Sequence, residues 1–260
     1  MTLVDSIILG IVQGLAEFRP VSSSGHLVIV SRLLKLAPNV PFDIALHFAT
    51  LLAVCAFFAR DIFEIIKAFL IDRRLDNPHF KLGLLIIVAS VPTAIIGFSL
   101  SDVFEAMFGS PVAVGFFLIV TAALIMAAET YGKARKDIQK VSFLDALMIG
   151  LMQGCAIAPG LSRSGATISA SLLAGMERKL ALRFSFLLSI PAILGASIFK
   201  AGAIYHNVNL QMIAGAAAAA ISGYFAIWLF VRMVEKKNMK VFAYYCLIAG
   251  LFAVMLGMAG

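Results

Sequence analysis

Residues 13–26 read QGLAEFRPVSSSGH, and the same outline returns at 153–167 as QGCAIAPGLSRSGAT. A shift of 140 residues pairs Gly10 with Gly150, Gln13 with Gln153, Gly14 with Gly154, Ser22 with Ser162, Ser24 with Ser164 and Gly25 with Gly165. Each copy is a break inside apolar sequence. Gln13 and Glu17 lie four apart and share one helix face. Pro20 stops that helix, and Ser22, Ser23 and Ser24 suit the N-cap of a second helix whose first turn holds His26. The copies diverge where chemistry would: Glu17 stands opposite Ile157, and Ser23 opposite Arg163.

The chain around these breaks belongs in a membrane. It is 62% hydrophobic and 13% charged, whereas a soluble domain carries about 25% charged residues. The arm at 3–17 spans roughly 22 Å as a helix, short of the ~30 Å hydrocarbon core. The returning arm, about 24–36, is shorter still. Two helix–turn–helix hairpins, the second at about 143–176, therefore enter the membrane and return, with tips buried in protein or lining a cavity. Full spans are predicted at 43–60, 82–100, 112–130, 180–200, 210–231 and 242–259. Sixteen of the 21 Lys and Arg fall in the loops at 60–81, 131–142, 177–183 and 232–240. The loop at 101–111 carries only acids (Asp102, Glu105), and that at 201–209 is neutral. Placing the four basic loops inside requires both hairpins to be re-entrant and both termini outside. The hairpins then enter from opposite faces, as an inverted repeat of about 1–130 and 143–260 within one membrane domain. Residues 44–63 and 180–199 support the duplication, with eight identities in twenty positions.

The N-terminus, MTLVDSIILG, has neither a basic n-region nor a cleavage site, so no signal peptide is expected. Cys55, Cys155 and Cys246 lie in apolar runs and are expected to be free thiols. The net charge of +7 follows from the positive-inside loops and calls for no nucleic-acid partner.

Two tips meeting near the midplane present half-helix N-termini, which attract anions and phosphate above all. Arg163 adds a bidentate clamp. Glu17 beside it suits a metal or a proton more than simple anion binding. A glutamate in an apolar helix can also serve only as the partner of a structural arginine, and the serines and Thr167 can be mere caps. His47, His79 and His206 lie outside both motifs and receive no role. The Gly/Ala run at 214–220 reads as close helix packing.

QGLAEFRPVSSSGH and PGLSRSGAT resemble the two signatures of the bacterial undecaprenyl-diphosphate phosphatase family of the bacitracin-resistance type, and the likeness extends along the chain to FSFLLSIP. It implies an all-α membrane enzyme that hydrolyses undecaprenyl diphosphate to the monophosphate carrier of peptidoglycan synthesis. It also implies a divalent cation (Mg2+ or Ca2+) and an active cleft open to the outer face of the plasma membrane. Carried over by position, Glu17, Ser23, His26 and Arg163 are the expected catalytic residues. Ser22, Ser24, Ser162, Ser164 and Thr167 are the expected phosphate-binding ones, and Glu17 with Gln13 the expected metal ligands. Gln13 is the neutral option at its place, and Arg19 stands where the family is usually apolar. The nucleophile is Ser23, His26 or a water activated by Glu17. A spacing of three favours Ser23 hydrogen-bonded to His26 as base. A flippase or secondary transporter on the same repeat is the alternative. A second phosphatase class shares only fragments, with Ser169 where it needs histidine. A homodimer is left open.

Overall fold

The computed structural model describes residues 1–107, 109–133, 135–199, 208–234 and 239–258. The neutral loop at 201–209, the basic loop at 232–240 and His206 lie wholly or partly outside them. Among the described residues the chain is helical throughout, with no strand. The helices are α1 (Leu3–Glu17), α2 (Ser23–Leu33), α3 (Val40–Phe57), α4 (Ala59–Ile71), α5 (Pro78–Ser99), α6 (Ser101–Met107), α7 (Pro111–Tyr131), α8 (Phe143–Cys155), α9 (Arg163–Leu173), α10 (Arg178–Phe199), α11 (Leu210–Val234) and α12 (Lys240–Met258).

Six of these, α3, α5, α7, α10, α11 and α12, are long and apolar enough to cross a membrane. Each begins and ends within four residues of its expected bounds. Large apolar side chains lie bare on their outer faces, among them Ile95, Phe116, Ile221, Phe225 and Ile248. Lipid, not water, is the solvent that tolerates such a surface. The first part of the basic stretch after α3 forms the helix α4, and the acidic segment expected as a loop contains the short α6.

The two short helix pairs sit where the broken motifs are. α1 stops at Glu17, before the Pro20 ring would clash with the carbonyl four residues back. Both pairs open on a capping box, Thr2 with Asp5 and Ser142 with Asp145, which again lie 140 residues apart.

Small residues set how the helices approach. A Cβ on Gly10 would lie 2.2 Å from the Gly215 carbonyl oxygen of α11, and one on Gly150 2.0 Å from the Ala89 carbonyl of α5. Thus α1 packs on α11, and α8 packs on α5. Between α7 and α12, Gly115 and Gly250 meet face to face, each blocking a side chain on the other. Backbone contact through glycine is how membrane helices gain van der Waals energy when lipid is as apolar as leucine. The Gly/Ala run at 214–220 is packing surface, as its composition suggests.

Candidate active site

The tips are built alike. Ser22 and Ser162 each cap the following helix, accepting from the amides of Gly25 at 3.3 Å and Gly165 at 3.1 Å. In each copy the hydroxyl two residues on lies 3.3 Å away, Ser24 from Ser22 and Ser164 from Ser162. They differ in backbone. Ser22 has φ 64°, in the left-handed region that a side chain rarely occupies, whereas Ser162 has an ordinary φ of −67°. The tips touch: Ser164 donates to the Arg19 carbonyl at 2.8 Å, and Gly25 abuts Gly160.

Glu17 is the centre of the assembly. It is nearly fully buried, and Arg163 of the other tip forms a hydrogen-bonded ion pair with its Oε1. Its Oε2 accepts from Ser23 Oγ at 2.5 Å and from Gln13 Nε2 at 2.8 Å. At two of the positions where the copies differ, the glutamate of one and the arginine of the other thus meet across the tips. Charge burial of this kind is stable only with paired and hydrogen-bonded partners, and Glu17 has them. On the residues that bond Glu17, two atoms are buried without a partner among the described residues: Arg163 Nη1 and Gln13 Oε1. One is a free guanidinium donor and the other a free oxygen ligand. Among the described residues no three His, Cys, Asp or Glu converge as a metal cluster. Gln13 Oε1 and the shared oxygens of Glu17 are what the site offers a hard cation.

The expected hydrogen bond between Ser23 and His26 is not formed. Spacing puts them on one helix face, but the imidazole folds back on its own helix, with Nδ1 2.7 Å from the Ser22 carbonyl oxygen. Nε2 lies 2.6 Å from the hydroxyl of Tyr245 in α12. The partner of Ser23 is the carboxylate. Thr167 is also drawn away from Glu17. Fully buried, it donates to the Arg163 carbonyl at 2.8 Å and shares a 2.5 Å contact with Ser185 of α10. The Arg19 guanidinium makes no hydrogen bond or ion pair among the described residues.

Two residues were not legible as site members. His47 of α3 brings Nε2 to 3.6 Å from Glu17 Oε2, while its Nδ1 donates to the Asp43 carbonyl at 2.8 Å. A signal existed: an ionisable residue inside a membrane span is functional by default, and the internal alignment sets His47 opposite Arg183. Tyr245 carried no comparable signal. The three cysteines are free thiols.

Residues 6–252 match the family described as Bacitracin resistance protein BacA. The undecaprenyl-diphosphatase of Alkaliphilus metalliredigens is 42% identical, over 98% of this chain and 98% of its own length. That of Methanosphaera stadtmanae is 40% identical over the same shares. That of Carboxydothermus hydrogenoformans is 42% identical over 100% of this chain and 99% of its own. All three are named as phosphatases and none as a carrier.

Proposed function

The chain belongs to the bacitracin-resistance BacA family, and we propose that its paired tips hydrolyse undecaprenyl diphosphate to undecaprenyl phosphate and inorganic phosphate. The reading is carried by one contact, the 2.5 Å hydrogen bond from Ser23 Oγ to Glu17 Oε2. A serine hydroxyl is a weak nucleophile until an adjacent base takes its proton, and this base is in contact before substrate arrives. Ser23 attacks the terminal phosphorus in line, and its proton passes to Glu17. The bond from phosphorus to the bridging oxygen breaks, and the lipid monophosphate leaves. Water then attacks the phosphoserine, giving its proton to His26 Nε2, and Ser23 Oγ departs with the proton held on Glu17. His26 therefore acts in the second half of the reaction, where the water enters.

Arg163 serves both partners. One nitrogen holds Glu17 while the buried, unpartnered Nη1 is a spare donor for a phosphate oxygen, and the amides at the start of α2 and α9 add donors for developing charge. Ser22 and Ser24 flank Ser23 on the same tip and offer hydroxyls to that phosphate, while Ser162, Ser164 and Thr167 are bonded within and behind the second tip. The donor set fits a divalent cation, which Gln13 Oε1 and Glu17 would hold. When bound, it neutralises charge on the diphosphate.

The two hairpins are the re-entrant halves of an inverted repeat, a reading supported by the reciprocal packing of α1 on α11 and α8 on α5. The basic loops face the cytoplasm of a bacterial cell, and the cleft opens to the outer face of its plasma membrane.

The test is phosphate release from purified protein given undecaprenyl diphosphate and Mg2+, with rapid acid quenching of end-labelled substrate. An acid-stable phosphoserine, absent from Ser23→Ala, is expected. No phosphate release refutes the reaction; an acid-labile adduct lost with His26→Ala moves the nucleophile to the imidazole.

A further inference from the structure

We infer that Tyr245 is a positioning residue of this site: its hydroxyl holds His26 at Nε2 and hands that nitrogen to the reaction when substrate arrives. The inference rests on the role proposed for His26. A backbone carbonyl can only accept a hydrogen bond, so the contact of His26 with the Ser22 oxygen places the ring hydrogen on Nδ1. In the neutral ring that leaves the lone pair on Nε2, the atom 2.6 Å from the tyrosine hydroxyl. A phenol suits the place because its oxygen can donate to the neutral ring and accept from the protonated one. The two rings lie nearly parallel, 9° apart with centroids 5.5 Å from each other, so Tyr245 also sets the plane of the imidazole.

The backbone on both sides is built to keep this contact. The carbonyl that orients Nδ1 belongs to Ser22, the residue in the left-handed region. Next to Tyr245, Cys246 Sγ contacts the Pro20 carbonyl oxygen at 3.2 Å, tying α12 to the same tip. Tyr245 itself is exposed, so the phenol has room to swing aside. Burial alone would be served as well by phenylalanine.

The experiment uses the purified full-length protein in detergent, as wild type, Tyr245→Phe and His26→Ala. Diethyl pyrocarbonate acylates the unprotonated imidazole nitrogen, and peptide mass spectrometry reads each histidine, with His79 as internal reference. Losing the hydroxyl is expected to raise the rate at His26 several-fold relative to His79. It is also expected to lower kcat roughly three- to ten-fold, the worth of one hydrogen bond, with KM for undecaprenyl diphosphate unchanged or lower. Equal labelling rates in folded wild type and Tyr245→Phe would overturn the inference. So would wild-type kcat and KM in Tyr245→Phe alongside an inactive His26→Ala. Full activity in His26→Ala is a separate failure: it removes the role proposed for His26, and the positioning role with it, while leaving the labelling contrast to report the contact.

Discussion

Replacing Glu17 by glutamine tests the site with almost no change of shape. In the wild type, Oε1 faces Arg163, while Oε2 receives Ser23 and Gln13 Nε2. Arg163 cannot accept a hydrogen bond, so the new amide must keep its oxygen toward the guanidinium and turn its NH2 to the other two. Both can adapt. Ser23 can accept, and a flipped Gln13 can offer the oxygen that now lacks a partner. Hydrogen bonding is thus kept, and what the substitution removes is the countercharge of Arg163, at most the ~3–5 kcal/mol that follows when a buried ion pair loses a partner. Catalysis has no such remedy, because an amide cannot take the serine proton. Loss of a positioned general base costs about 10²- to 10⁴-fold, equivalent to roughly 2.7–5.4 kcal/mol at 1.36 per tenfold. Glu17→Gln should therefore purify as a folded protein, bind substrate, and turn over at least a hundred times more slowly. Phosphate release under saturating substrate measures this, with thermal stability in detergent as the control. Folded Glu17→Gln with kcat within tenfold of wild type would refute the base assignment.

Four other outcomes follow from the same geometry. Arg163→Ala should lower kcat by about 10²–10³, the loss of one transition-state donor; near-normal turnover in phosphate-release assays rejects the clamp. Gly150→Leu should abolish accumulation of folded protein, because its Cβ would sit 2.0 Å from a backbone oxygen; a monodisperse, active variant in size-exclusion chromatography would contradict the packing. Chelation should stop turnover, and added Mg2+ or Ca2+ should restore it, with Gln13→Ala needing more cation for half-recovery; activity undiminished by chelator removes the cation. On a cysteine-free background, an impermeant thiol reagent applied outside should label a cysteine at 102 but not at 74, and the reverse pattern overturns the orientation.

How far the sequence could be read follows from where each interaction lies along the chain. Helix positions, the tips and the meeting of Glu17 with Arg163 were legible because they depend on local chemistry and a repeat. Apolar runs set helix lengths, proline and serine break them, and the duplicated outline shows which residues differ. The shared face of Gln13 and Glu17 followed from a spacing of four, and the bond between them lies on it. The Ser23–His26 bond was wrongly expected because spacing gives a shared face without saying which other partner is closer. For Ser23 that partner is Glu17, six residues back across a turn. For His26 the partners are a carbonyl one helical turn back and a tyrosine 219 residues away. His47 and Tyr245 come from long apolar helices, whose periodicity is nearly mute when lipid covers one side and protein the other.

The seating of α1 on α11 also has a temporal side. Gly10 and Gly215 are in contact, yet 205 residues of chain separate them. At about 5–20 residues per second, the ribosome needs roughly 10–40 s to deliver α11 after α1. Arg163, the charge partner of Glu17, arrives during that wait. Until then the first hairpin holds a carboxylate without its countercharge beside a groove not yet made. The nascent chain therefore spends most of its synthesis with a helix that bears an unpaired carboxylate still unlodged, and the insertion machinery must shelter that helix until the second half arrives. Chains truncated before residue 210 should accordingly be substrates for membrane proteases rather than stable half-proteins.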